Sequence, residues 1–210
     1  MVQIFEELKT LFNKNGYRLY MIGSTSRDYL LNNEIKDFDF VTDATPIEIA
    51  SFLKVNMHFS KYGVVSLKKE GRHIDIATLR EEAKYLDSRH PDKIIFIKDT
   101  DIDYKRRDLT VNAIYIDEDY KILPISQRGY EDLKNKKLNF IGDPLVRIKE
   151  DPLRILRAIR FIKEYNLTVN EEVKKILKDN FYLLDKINKD KINEEKRKLL
   201  KATGEDSYEF

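Results

Sequence analysis

The hydrophobic pattern of this chain changes once, near Ile148, and that change limits the possible folds more than any other feature. Before it, strand-like alternation is interleaved with helical periods; after it only helical periods occur. Ile4, Phe5, Leu8, Leu11 and Phe12 recur at helical spacing and stop at Asn15-Gly16, a helix end. Residues 18–22 read as a strand, Gly23-Ser24-Thr25-Ser26 as its link to a short helix through Leu31, and 38–41 as a second strand. Thr45, Pro46 and Glu48 predict an N-cap, a first-turn proline and a capping-box partner for a helix through Leu53. Further strands are expected over 64–68, 73–78 and 94–98. Beyond Ile148, Ile155, Ile159 and Ile162 share one helix face. Val173, Ile176, Leu177, Phe181 and Leu184 mark a second helix, and Ile192, Leu199 and Leu200 a third. The expected architecture is an α/β (α+β) domain with a mixed sheet over 1–145 and a helical unit over 146–203, with a frayed, disordered tail over 204–210. Glycine is scarce after Gly142 and no low-complexity linker occurs, so the helices should pack directly on the sheet domain.

Two hundred and ten residues can bury one good core, or a compact catalytic domain with a helical extension. With 41% hydrophobic and 36% charged residues the chain is globular rather than disordered. No apolar run approaches the roughly 20 residues that span a bilayer, and the N-terminus lacks a basic-then-apolar leader, so no membrane partner and a cytoplasmic location are expected. Cysteine is absent, which excludes disulfides, thiol nucleophiles and thiolate metal sites. Any metal must then sit on oxygen or imidazole, a donor set that favours magnesium. A net charge of +2 means that an RNA partner would be held by a local basic patch and not by the field of the whole molecule.

The chemistry concentrates in Gly23-Ser24, Arg27-Asp28 and Asp37-Phe38-Asp39. A small-residue turn at a helix start lets backbone N–H groups and the Ser24 hydroxyl approach a triphosphate. Residues two apart on a strand point to one side, so Asp37 and Asp39 could share a pair of Mg2+ ions, which stabilise the attacking and leaving oxygens of a phosphoryl transfer. A solvated strand edge around one buried aromatic is the plainer reading of Asp-Phe-Asp taken alone, and coupling to the Gly-Ser turn outweighs it. Asp75, in His73-Ile74-Asp75-Ile76, is either a third catalytic carboxylate or an ordinary exposed strand position. His58, His73 and His90 show no ligand spacing and read as structural or exposed.

Tyr20-Met21-Ile22-Gly23-Ser24-Thr25-Ser26-Arg27-Asp28 followed by Asp37-Phe38-Asp39-Phe40-Val41-Thr42 resembles the first motif of the bacterial-type (class II) CCA-adding tRNA nucleotidyltransferases and poly(A) polymerases, of the polymerase-β-like superfamily. Further matches follow in the family's order. They are Tyr85, Asp87, Arg89, Pro91-Asp92 and Phe96 in a loop segment, Arg106-Arg107-Asp108-Leu109-Thr110-Val111-Asn112-Ala113, Glu131-Asp132-Leu133, Ile141-Gly142-Asp143-Pro144, and the run from Glu150 through Asp151, Arg154 and Arg157 to Phe161. The resemblance implies a nucleotidyltransferase head and a helical neck, using Mg2+ with ATP and CTP as substrates and the 3′ end of an RNA, a tRNA above all, as acceptor. It implies catalysis by Asp37, Asp39 and Asp75, with metal on Asp37 and Asp39. Nucleotide binding falls to Gly23, Ser24, Arg27, Arg107, Asp108, Asn112, Asp151 and Arg154. Arg107 and Asp108 match positions that hold the ribose, and Asn112 supports their turn. Asp151 and Arg154, three apart on an expected helix, would read the base, the carboxylate accepting from an exocyclic amine and the guanidinium donating to ring acceptors. Arg157 and Arg160 form a basic stripe for RNA, or a solvated face.

Ser24 and Asn32 stand where the family usually has glycine, and Ser26 where it has an aliphatic. Asn188, Asp190 and Lys191 stand for the family's Ser, Glu and Arg, and a lysine cannot make a planar bidentate contact. Family members usually continue for over a hundred further residues into body and tail, so a homodimer or a partner subunit could supply these. Two other functions remain open on the sequence: a poly(A) polymerase, and an inactive nucleotide- or RNA-binding module, against which the retained, mutually repelling carboxylates argue.

Overall fold

In the computed structural model, which describes residues 3–85 and 91–208, the first helical period becomes α1 (Gln3–Lys14), with Ile4, Phe5, Leu8 and Phe12 buried. Phe5 stacks on Phe40 at 5.6 Å between ring centroids, which seats α1 on the sheet. The sheet is mixed: β1 (Leu19–Met21), β2 (Phe38–Thr42), β4 (Arg72–Thr78) and β3 (Val64–Lys69) lie in that spatial order. β1 and β3 are antiparallel to their neighbours, whereas β2 and β4 are parallel. The parallel pair sets Asp39 beside Asp75 in register, flanked by Phe38 beside Ile74 and Phe40 beside Ile76. Those apolar neighbours are buried on one face, and strand alternation sends the two aspartates to the other.

α2 (Gly23–Leu30) begins directly at Gly23, so the expected Gly-Ser-Thr-Ser link is the first turn of the helix. α3 (Pro46–Phe52) carries the capping box of Thr45 and Glu48 and the first-turn proline. A two-stranded hairpin follows, β5 (Arg80–Tyr85) and β6 (Pro91–Phe96); its first strand has no clean alternation in the sequence and went unexpected. Asp87, Arg89 and His90 of the loop segment lie outside the described residues. Then come α4 (Thr100–Arg106), α5 (Gln127–Lys134) and α6 (Pro144–Glu150).

The C-terminal helices are α7 (Leu153–Tyr165), α8 (Glu171–Asp179) and α9 (Lys189–Thr203). Ile155, Ala158, Ile159, Phe161, Val173 and Leu177 belong to the same buried cluster as Phe5, Phe40 and Ile74, so α7 and α8 share the core of the sheet. The second helix expected over 173–184 breaks at Asn180, whose side chain donates to the Ile176 carbonyl; a 3-10 turn, Phe181–Lys186, follows. Leu184 is buried there while Phe181 is exposed. Residues 204–210 read as a frayed tail, yet Tyr208 packs against the core and the Ser207 carbonyl accepts from Lys163.

Candidate active site

A cleft of about 1610 Å³ runs between the open face of β2 and β4 and the helices α4 and α7. One wall carries carboxylates. Asp39 is half-buried on β2, and Asp37 is exposed just ahead of the strand, so the two do not alternate along one strand as expected. Asp37 owes its place to the turn that enters β2. The Ser24 amide and hydroxyl both donate to Asp39 Oδ2, at 2.9 and 2.6 Å, and the Asp39 amide donates to Thr25 Oγ1 at 2.6 Å. The Gly-Ser turn thus cradles a carboxylate at the positive end of α2, where the expectation was a phosphate alone. Gly23 has φ of +60°, and a Cβ there would meet Asp39 Oδ2 at 2.7 Å, so both the backbone and the close approach require glycine.

Asp75 faces the same cleft. Burial pushes its carboxyl above the ordinary aspartate range, and the charges of Asp39 and Asp37 add to the rise while His73 opposes it. His73 Nε2 lies 3.0 Å from Asp75 Oδ1, a contact that the spacing of the histidines does not show. Among the described residues no group of three His, Asp or Glu side chains stands assembled as a metal cage. What the wall offers is oxygen donors with mutually repelling charge, which suits a hard cation that is completed by water and substrate phosphates.

The opposite wall is built from neutralised charge. Asp108 is buried and accepts from the Leu109 amide at 2.7 Å, Asn112 Nδ2 at 3.2 Å and Arg157 Nε at 2.7 Å. Burial alone would raise its carboxyl; Arg157 and these donors hold it well below the usual range instead. Asn112 also accepts from Arg27 Nη1 at 2.6 Å, joining α2 to the turn after α4. Arg27 is itself buried, its guanidinium 4.8 Å from the Phe161 ring and 5.1 Å from the Tyr165 ring of α7. It therefore locks α2 to α7 from the edge of the cleft. Arg107 donates through Nε to Asp103 Oδ2 at 2.9 Å and to the Tyr115 hydroxyl at 2.6 Å, and its backbone carbonyl accepts from Arg147 at 2.7 Å.

Asp151 and Arg154 do not share a helix. Asp151 caps the C-terminus of α6 in an extended conformation and accepts from the Leu153 amide, whereas Arg154 lies in the first turn of α7. The proline at 152 forces this break, because the residue before proline is pushed out of the helical region. Arg154 Nη1 donates to the Arg147 carbonyl at 2.8 Å and to Glu150 Oε2 at 2.7 Å, so its orientation is set before any base arrives. The basic stripe on α7 is likewise committed: Arg157 to Asp108, and Arg160 to Glu164 at 2.9 Å and Glu195 at 3.2 Å. Both arginines still line the cleft. Sequence reading missed Asp103, Tyr115 and Glu195, whose partners include Arg80, Arg107 and Arg160 on other elements. Glu150, which the resemblance had grouped with Asp151 and Arg154, bonds to Arg147 and Arg154 close by in sequence.

Carboxylates on neighbouring strands of a mixed sheet, facing an arginine-lined wall that a helical extension completes, define the polymerase-β-like nucleotidyltransferase head with its helical neck. The chain belongs to the family of the poly(A) polymerase head domain, whose family model matches residues 19–139. A CCA-adding enzyme of Lactobacillus johnsonii is 37% identical over 193 residues, 91% of this chain and 48% of its own length. Another, of Staphylococcus haemolyticus, is 32% identical over 204 residues, 95% of this chain and 51% of its own. The solved Bacillus stearothermophilus CCA-adding enzyme in complex with CTP superposes with a TM-score of 0.83 at 29% identity, covering 95% of this chain and 48% of that one. The Thermotoga maritima enzyme complexed with tRNA-CCA gives 0.75 at 27% identity, over 96% and 47%. The chain spans about half the length of the curated relatives it matches. Among the described residues no helix is long and apolar enough to cross a membrane.

Proposed function

We propose that the chain is the head (1–145) and neck (146–203) of a template-independent RNA nucleotidyltransferase that adds nucleotides from CTP and ATP to the 3′ end of tRNA, in whole or partial CCA addition. The observation that carries the reading is the pairing of Asp39 with Asp75 in register across from Asp108, Asp151 and Arg154 on one cleft. The relatives with CTP and with tRNA support it. Asp37 and Asp39 would hold Mg2+, with Asp75 beside them; bound there, the ions supply charge neutralisation for the attacking 3′ hydroxyl and the leaving pyrophosphate. The chain's own residues do the rest. Asp108 accepts from the ribose hydroxyls, which prefers a ribonucleotide, while Arg107 offers its outer nitrogen to the nucleotide. Asp151 and Arg154 read the base edge, with Arg147 and Glu150 fixing the arginine. Since Arg157 and Arg160 are already paired, RNA contact at this stripe uses their outer edges and the adjacent Lys191 and Lys198. The body and tail that grip the rest of a tRNA would come from a second copy, a partner subunit or further chain.

Incubation with tRNA lacking its 3′ end and each nucleotide in turn, with products resolved to single nucleotides, tests the reading. Addition that stops after CCA, or after one of its steps, is expected. An open-ended A tract would replace it with poly(A) polymerase activity, and nucleotide binding without addition would leave a binding module.

A further inference from the structure

Asp103 has no place in the assignments above, yet it is a heavily partnered carboxylate beside the cleft. It is fully buried on α4, and one oxygen accepts from the Arg80 amide at 2.9 Å and from Arg106 Nε at 2.8 Å. The other accepts from Arg107 Nε at 2.9 Å and, in a short bond, from the Tyr115 hydroxyl. Glu82 of β5 extends the network, accepting from Arg80 Nε at 2.8 Å and Arg106 Nη1 at 3.2 Å. A carboxylate oxygen pair offers about four acceptor sites, so Asp103 is saturated. Charge-assisted bonds to two forked guanidiniums fix direction as well as distance. The consequence for Arg107 is geometric: one edge of its guanidinium is clamped by Asp103 and its plane lies 5.1 Å from the Tyr115 ring, which leaves Nη1 as the outward nitrogen.

We propose that Asp103 is a positioning residue for nucleotide binding, which aims Arg107 into the cleft and ties it to the base of the β5–β6 hairpin through Arg80 and Glu82; this rests on the nucleotidyltransferase reading of the cleft. Arg80, Glu82, Arg106 and Arg107 all line that cleft, so hairpin and arginine form one wall held from behind by one carboxylate. Asparagine at 103 has the same shape but turns an amide donor toward guanidinium donors, which releases Arg107 without opening a cavity.

The test titrates CTP and ATP, with Mg2+, into the full chain and its Asp103→Asn, Arg107→Ala and doubly substituted forms, each checked for a cooperative melt. Asp103→Asn should weaken binding by about tenfold, and the double variant should bind within about twofold of Arg107→Ala, because residues acting through one contact are not additive. Tyr115→Phe removes one donor from the same carboxylate and should give a smaller loss in the same direction, which keeps the test decisive where Asp103→Asn fails to fold. Amide exchange across Arg80–Tyr85 should slow on CTP binding in the wild type and not in Asp103→Asn, or in Tyr115→Phe where that form stands in. Fully additive losses, wild-type affinity in Asp103→Asn and Tyr115→Phe, or an unchanged exchange response would each overturn the positioning role alone. Absence of nucleotide binding by the wild type would overturn the proposed function and this inference with it.

Discussion

The two walls of the cleft use acidic residues in opposite ways. On the sheet side, Asp37, Asp39 and Asp75 are exposed or half-buried and, among the described residues, meet few cations: Asp75 pairs with His73, and Asp39 is held by the neutral amide and hydroxyl of Ser24. On the helix side, Asp103 and Asp108 are buried and held by guanidinium and amide donors. Uncompensated charge costs stability and is tolerated where a cation or substrate completes it, whereas compensated charge fixes geometry. Under the proposed function this contrast gives metal and reaction to the sheet wall and recognition to the helix wall. It also implies that the two walls respond differently to the same class of substitution.

The largest difference is expected in the reaction itself. Asp39→Ala and Asp37→Ala should each lower nucleotide addition about a thousandfold, roughly 4 kcal/mol at 1.36 kcal/mol per decade, with the fold retained. Retention follows from the sheet wall carrying repulsion rather than attraction between its carboxylates. Single-turnover addition with Mg2+ present measures it, and activity within tenfold of wild type in either variant would remove the metal role from that wall.

Next come Asp151→Ala and Arg154→Ala, which should blunt the choice among the four nucleotides more than they slow the best one, by about 1–3 kcal/mol of discrimination. Competition between CTP and UTP in one reaction reads this out. Unchanged selectivity in both variants would move base recognition away from the junction of α6 and α7.

What the sequence made legible was local. The capping box of Thr45 and Glu48 and the helix end at Asn15-Gly16 depend on neighbours within a few residues, and both appear in the structure. The neighbourhood of Asp39 and Asp75 depends on parallel register between strands 36 residues apart, which alternation within either strand leaves open. The same limit hid Asp103, which reads as an ordinary first-turn acid of α4 until Arg80 and Tyr115 are brought to it. The i,i+3 reading of Asp151 and Arg154 failed because Pro152 ends one helix and opens another. At Asn180 the apolar period continues through Phe181 and Leu184 while the backbone leaves the α-helix, so pattern alone overran the element.

A smaller effect tests the helix wall's stability. Arg157→Ala leaves Asp108 buried with its amide donors but without its guanidinium. Because Arg157 is itself partly exposed, the loss should be about 1–2 kcal/mol rather than the 3–5 of a fully buried pair, lowering Tm by roughly 3–6 °C. The sign with pH is fixed by the depressed carboxyls of Asp103 and Asp108. Below the ordinary aspartate value of 3.8 the unfolded chain binds more protons, so their stabilisation is complete above that value and is lost as pH falls through it and beyond. The Arg157→Ala deficit should therefore shrink in acid. A deficit independent of pH would show that Arg157 acts by packing and not through Asp108.

The smallest effect belongs to the sheet wall and has the opposite sign. Asp75 has a raised carboxyl, so its folded form favours the proton; the stability tied to that proton is present below 3.8 and is lost as pH rises through the raised value. At neutral pH the ionised Asp75 is then a net burden beside Asp39 and Asp37, lessened by His73. Asp75→Asn should raise the Tm of the metal-free protein by no more than about 3 °C, as befits a partly exposed group contributing under about 1 kcal/mol. In the wild type Mg2+ should raise Tm as well, because an ion that binds only the folded chain stabilises it by mass action. The two effects draw on the same repulsion, so the Mg2+ response should be smaller in Asp75→Asn than in the wild type. Melting curves with and without Mg2+, at pH 7 and pH 5, separate the outcomes. Destabilisation by Asp75→Asn with an undiminished Mg2+ response would place Asp75 among the structural carboxylates and leave the cation to Asp37 and Asp39 alone.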